Sequence, residues 1–241
     1  MLLDHPLRLA PAVDPGEGEH RDDNDGDDDQ SPLASHPAIL APPPSVTIAL
    51  AAMTIDAPSL SDAEIRKLVE RLDRPIVLVG MMGVGKSTVG RKLATLLNLP
   101  FRDADDAIEE AAQMTVSEIF ERFGEPYFRD GERRVITRLL GGGPAVIATG
   151  GGAFAQAETR RLILDGGIAV WLDSDVDTLV ERVGRRDTRP LLKDGDTREI
   201  VGRLKKEREP FYAEAPIHVS SNSGPHGTAV NRIVQALDQW L

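Results

Sequence analysis

The sequence predicts an α/β fold of three layers, a central and mostly five-stranded parallel sheet between two layers of helices, arranged around a phosphate-binding loop. Three observations carry this. From residue 75 onward, short apolar runs alternate with stretches of helical periodicity, the pattern of successive strand–helix–strand units. The run Ile76-Val77-Leu78-Val79 opens directly into Gly80-Met81-Met82-Gly83-Val84-Gly85-Lys86-Ser87-Thr88, which meets G-x-x-x-x-G-K-[ST] at each fixed position. A second apolar run, Ala145-Val146-Ile147-Ala148-Thr149, ends in Gly150-Gly151-Gly152, where a ligand could lie against bare backbone.

The elements follow in order. Ser61-Asp62-Ala63-Glu64 has the form of a capping box. Ile65, Leu68, Val69 and Leu72 then recur at amphipathic-helix spacing. Strands are expected at 76–79, around 100–102, and at 145–149, 168–172 and 216–220. Helices are expected at 86–97, 105–112, 116–122, 125–140, 156–165, 175–183, 196–208 and 227–240. Pro126 suits the first turn of its helix, where a missing N–H does no harm. Gly141-Gly142-Gly143 follows a helix rather than a strand and reads as a C-cap and turn. In the last helix Val230, Ile233, Val234, Leu237 and Leu241 form one stripe.

Residues 1–58 read as a disordered tail, with the acidic block Asp22–Asp29 and the cluster Pro42-Pro43-Pro44. Two readings of the tail stand side by side, a true start at Met53 and a genuine flexible extension; residues 59–241 are expected to form the domain. The formal charge is -11, but residues 1–60 hold eleven acids against two bases, which leaves 28 acids against 26 bases in the rest. A near-neutral body has no basic face for nucleic acid. No run is long enough to span a bilayer, and the acidic start is unlike a signal or transit peptide, so a cytoplasmic protein with no membrane partner is expected. There are no cysteines, which excludes disulfides, thiolate metal sites and cysteine nucleophiles.

Five groups carry the chemistry. In the loop, the glycines let successive N–H groups turn toward phosphate oxygens, Lys86 reaches the β/γ-phosphates, and the Ser87 hydroxyl is placed for Mg²⁺. Gly83, Val84, Gly85 and Thr88 complete the nucleotide contacts. Asp103 and Asp105, two apart at the end of the second strand, point to one side if that segment is extended. One could then support Mg²⁺ and the other take a hydroxyl proton, or the pair could simply cap the next helix. Arg129 and Glu132 are i, i+3 neighbours: either a surface ion pair, or a carboxylate holding a guanidinium that grips an anionic substrate. Four arginines stand within residues 182–189, with Gly184 and Pro190 alongside, as in a mobile cationic lid. Arg208 either favours the negative end of its helix or clamps an anion.

In this order the groups resemble the shikimate kinase family. The resemblance rests on Gly80–Thr88, Asp103-Ala104-Asp105, Phe128-Arg129 with Glu132, Gly150-Gly151-Gly152, Arg189-Pro190-Leu191-Leu192, and Arg208 with Pro210 and Tyr212. It runs from about residue 75 to 240. It implies phosphorylation of the 3-hydroxyl of shikimate by ATP with Mg²⁺, giving shikimate 3-phosphate and ADP on the route to chorismate and aromatic amino acids. It further implies that Lys86 and the loop amides hold the phosphates, and that Ser87 and Asp103 serve Mg²⁺. Asp105 accepts the proton, Arg129 and Arg208 bind the carboxylate, and Gly150, Gly151 and Gly152 contact a hydroxyl. Arg189 closes onto phosphate, Arg182 lies against adenine, Phe120 and Phe128 line the pocket or belong to the core, and a monomer is expected. Asp106 adds a third acid and is expected to face solvent. A gluconate kinase would share the loop, but the triple glycine and Arg129 argue against it. A regulator without chemistry should have lost Lys86, Asp105 or Arg189, and all three are present.

Overall fold

A computed structural model of the chain describes residues 60–184, 195–222 and 226–241. The expectations for the tail and for Arg185, Arg186 and Arg189 of the arginine-rich segment lie outside the described residues.

The described elements run α1 (Asp62–Arg71), β1 (Ile76–Val79), α2 (Lys86–Leu97), β2 (Phe101–Asp103), α3 (Ala104–Ala112), α4 (Val116–Leu140), β3 (Val146–Ala148), a 3₁₀ turn (Ala153–Ala155), α5 (Ala157–Gly166), β4 (Ile168–Asp173), α6 (Val176–Val183), α7 (Thr197–Tyr212), β5 (Ile217–Ser220) and α8 (His226–Trp240). The five strands form one sheet in the order β2-β3-β1-β4-β5, every pair parallel. Ile76 sits opposite Val146 on one side and Ile168 on the other, so β1 is paired along both edges. Its four side chains are fully buried, which is why the strand reads as an unbroken apolar run instead of an alternating one.

The strand order dictates the layers. The connection β1–α2–β2 moves one way across the sheet, and β3–α5–β4 moves the other. Right-handed crossovers therefore put α2 and α5 on opposite faces. Helices α1 and α8 pack with α2, and α4 packs with α5. On α8, Val230, Ile233, Val234 and Leu237 are buried, as the stripe predicts.

The helices expected at 116–122 and 125–140 are the two halves of α4, which part where Gly124 leaves helical geometry at φ 77°, ψ 174°. Pro126 falls in the first turn of the second half, where no N–H is needed. Helix α7 runs past the expected stop at 208, through Pro210, to Tyr212. Burial of Tyr212 against Trp171 and Phe154 anchors the last turn despite the proline. Gly141 caps α4 as predicted.

Candidate active site

The phosphate loop is held open from outside. Gly80, at φ +130°, lies so close to the end of β4 that a Cβ there would be 2.2 Å from the Leu172 carbonyl oxygen. Gly85 is the N-cap of α2 in the left-handed region, with no side-chain cap. Five other helices, α1, α3, α4, α6 and α7, each carry a side-chain cap from Ser61, Asp103, Thr115, Asp175 or Asp196. At α2 no side chain caps the first turn, and the positive end of the helix faces the loop, which favours an anion there. The Lys86 ammonium is almost buried and donates to Gly80 O (2.8 Å) and Met81 O (3.0 Å), folding back over the loop. Val84 points its side chain inward, and its carbonyl accepts from Arg182 Nη1 (3.2 Å) and Ser221 Oγ (3.3 Å). Arg182 Nη1 also donates to Ser221 O at 3.2 Å. Arg182 thus sits beside the loop, engaged in the plane of its guanidinium. Thr88 is exposed in the first turn of α2.

Ser87 Oγ donates to Asp103 Oδ2 at 2.7 Å, which places two hard oxygen donors at the foot of the loop. Asp103 and Asp105 do not share an extended segment, contrary to the sequence expectation. The helix begins at Ala104, because Asp103 Oδ1 accepts the Asp105 N–H (3.1 Å) and caps α3, while Ala104 is fully buried. Asp105 therefore stands on a helix, yet its carboxylate still reaches the glycine loop: a Cβ at Gly150 would lie 2.9 Å from Asp105 Oδ1 and 2.8 Å from Glu132 Oε1. Asp106 is exposed, with Arg91 3.7 Å away.

Arg129 is gripped from both sides. Its Nη1 donates to Glu132 Oε2 (2.7 Å), and its Nε and Nη2 donate to Glu125 Oε1 (3.1 and 2.9 Å). The guanidinium lies against Gly152, where a Cβ would be 2.5 Å from Nη2. Glu132 is fully buried, and its Oε1 has no hydrogen-bond partner among the described residues. Burial pushes its pKa up, against the pull of Arg129, and nearby Asp105 and Glu125 add to the rise. Glu125 is a partner that sequence reading left without a role; its i, i+4 spacing to Arg129 was the available signal. Phe128 is buried and Phe120 packs on it at 4.6 Å, so this pair is core.

This burial has a pH consequence. Between the ordinary carboxylate pKa and the raised folded value, the native state holds a proton that the unfolded chain has released. The contribution of Glu132 to stability therefore falls as pH rises through that window. Urea unfolding of the protein and of Glu132→Gln from about pH 4.5 to 7 is expected to show the difference moving in favour of Gln as pH rises. A pH-independent difference would contradict the assignment.

On the other side of the glycine loop, Arg208 Nη1 donates to Gly151 O (3.1 Å), and the Tyr212 hydroxyl donates to the same oxygen. Among the described residues, the N–H groups of Gly150, Gly151 and Gly152 donate to no protein group. The structure thus brings Asp105, Glu132, Arg129 and Arg208 around these three amides, and Gly151 lies against the phosphate loop at Met82. Arg160 was not singled out in the sequence. It ties the 3₁₀ turn to the end of α7 through Phe154 O (3.1 Å) and Glu214 (2.9 Å).

A parallel sheet whose central strand ends in such a loop defines a P-loop nucleotide-binding protein, here with carboxylates and guanidinium groups gathered at a glycine loop beside it. The shikimate kinase family model matches residues 82–238. The chain is 64% identical over 193 residues to shikimate kinase from Novosphingobium aromaticivorans, covering 78% of this chain and all of that one. It is 56% identical over 169 residues to shikimate kinase from Rhodopseudomonas palustris, covering 70% and 83%. The structure of shikimate kinase from Acinetobacter baumannii in complex with shikimate superposes with a TM-score of 0.66 at 38% identity, covering 73% of this chain and 96% of that one. The chain belongs to the shikimate kinase family.

Proposed function

We propose that the chain transfers the γ-phosphoryl group of ATP to the 3-hydroxyl of shikimate, giving shikimate 3-phosphate and ADP in the biosynthesis of chorismate and aromatic amino acids. The observation that carries the reading is the glycine loop. Its three amides, which meet no acceptor among the described residues, lie beside two carboxylates and two guanidinium groups, against the phosphate loop. A small polyol bearing one carboxylate suits that surround, with donors for hydroxyls and cations for the anion.

The nucleotide phosphates are taken by the amides of Gly83 to Thr88 and by Lys86, which exchanges its backbone partners for phosphate oxygens. Ser87 and Asp103 suit Mg²⁺, a cation that takes few carboxylates along with substrate phosphates. When bound there, the metal neutralises phosphate charge. Arg182, occupied in its plane, keeps its flat face for a stacked adenine. Asp105 accepts the proton of the attacking hydroxyl, and Arg129 and Arg208 hold the shikimate carboxylate. Arg189 steadies the transferring group, so Arg189→Ala should lower turnover far more than shikimate affinity. Phosphoryl transfer needs positioning and charge stabilisation rather than a covalent side-chain intermediate. The reading includes residues 59–241 as the kinase domain and a monomer at work in the cytoplasm. Among the described residues no helix is long and apolar enough to cross a membrane.

The test is ADP release from Mg-ATP with shikimate, with gluconate, and with no acceptor. Release with shikimate alone supports the assignment. Equal release in all three arms refutes it.

A further inference from the structure

We propose that Tyr212 is a positioning residue of the acceptor site: with Arg208, its hydroxyl fixes the Gly151–Gly152 peptide against the phosphate loop and so aims the Gly152 N–H at the acceptor. The inference rests on the reading of the glycine loop as the acceptor site.

A peptide flanked by glycine on both sides is the one most free to rotate as a unit, since neither neighbour has a Cβ to restrict it. The peptide is planar, so holding its carbonyl oxygen also fixes the opposed N–H. Two donors converge on Gly151 O, from Arg208 Nη1 and from the Tyr212 hydroxyl. The neighbouring carbonyls are held separately, Gly150 O by Ala153 N (3.3 Å) and Gly152 O by Ala155 N (3.1 Å). The loop is therefore pinned at three successive oxygens, while its amides meet no acceptor among the described residues.

Tyr212 also spans the two halves of the site. Its hydroxyl lies 3.9 Å from the sulfur of Met81, a residue of the phosphate loop whose carbonyl accepts from Lys86. A Cβ at Gly151 would be 2.9 Å from the Met82 nitrogen. The ring is buried, with Trp171 and Phe154 stacked at 6.0 and 6.5 Å. Packing alone would be met equally well by phenylalanine, without placing a hydroxyl in a buried aromatic stack. Burial pushes the phenol pKa up to about 12, so the group stays a donor throughout the neutral range.

The experiment is Tyr212→Phe in the full chain, with steady-state kinetics for both substrates and a melting curve, beside the unaltered protein. The expected result is a rise of about tenfold in KM for shikimate, the worth of one hydrogen bond, with KM for ATP and the melting temperature nearly unchanged. An unchanged shikimate KM overturns the proposal, as does a parallel rise in both KM values with a lowered melting temperature. A double-mutant cycle with Arg208→Ala provides a second check: two donors on one oxygen should couple, and strictly additive losses overturn the proposal. If the unaltered protein releases no ADP with shikimate, it is the acceptor-site reading that fails, and the two failures remain distinct.

Discussion

Asparagine at position 105 is expected to lower kcat by about 10²- to 10⁴-fold, the usual worth of a positioned general base. The exchange keeps size and shape, and the backbone N–H of residue 105 still reaches the Asp103 cap, so the helix start is preserved. What is lost is the negative oxygen that lies beside Gly150. Binding of shikimate and ATP should change only a few-fold, because the arginines and the loop amides are untouched. Steady-state kinetics with separate binding titrations would separate the two effects. A kcat within about tenfold of the original would remove Asp105 from the role of base and leave the transfer to positioning and charge alone.

Arg129→Ala is expected to raise the KM for shikimate by about 10²-fold, from the loss of charge-assisted hydrogen bonds to a carboxylate. It should also destabilise the fold, and in a pH-dependent manner. Glu132 is buried and loses Arg129, whose guanidinium donates to its Oε2. Breaking a buried pair costs about 3–5 kcal/mol if the charge remains, but a stranded carboxylate can take up a proton instead. The stability loss should therefore be greater at alkaline than at mildly acidic pH, measured by urea unfolding under both conditions. Lysine should rescue little, since a point charge cannot contact Glu125, Glu132 and a bound carboxylate with one planar fork. An unchanged shikimate KM in the alanine variant would take the clamp away from Arg129.

Much of this arrangement was legible in the chain. The phosphate loop is local: its glycines, lysine and serine are contiguous, and the strand before it is uniformly apolar. The Arg129–Glu132 pair follows from helical spacing alone. Asp105 was harder, because an aspartate at the end of a strand is also an N-cap, and Asp103 takes that second role. Its cap starts the helix one residue earlier than expected and moves Asp105 off the strand. Tyr212 was legible as part of a motif, but its role was not, since the hydroxyl meets an oxygen 61 residues away in sequence. The extent of α7 through Pro210 likewise depends on tertiary burial of Tyr212, which overrides the local helix-breaking preference.

The contact of Gly80 with the Leu172 carbonyl has a meaning for the growing polypeptide. Gly83 is walled in the same way, by Val183 and the Leu179 carbonyl of α6. The nine residues of the loop thus lie against a strand and a helix that follow them by roughly 90 to 100 residues in sequence. At about 5–20 residues per second, a ribosome completes the motif roughly 5 to 20 s before it makes its walls. During that interval the chain carries the full signature without the cradle. A nucleotide held at the loop, as proposed, therefore rests on β4 and α6 as well as on the motif, and its binding steadies the two halves of the sheet together by mass action.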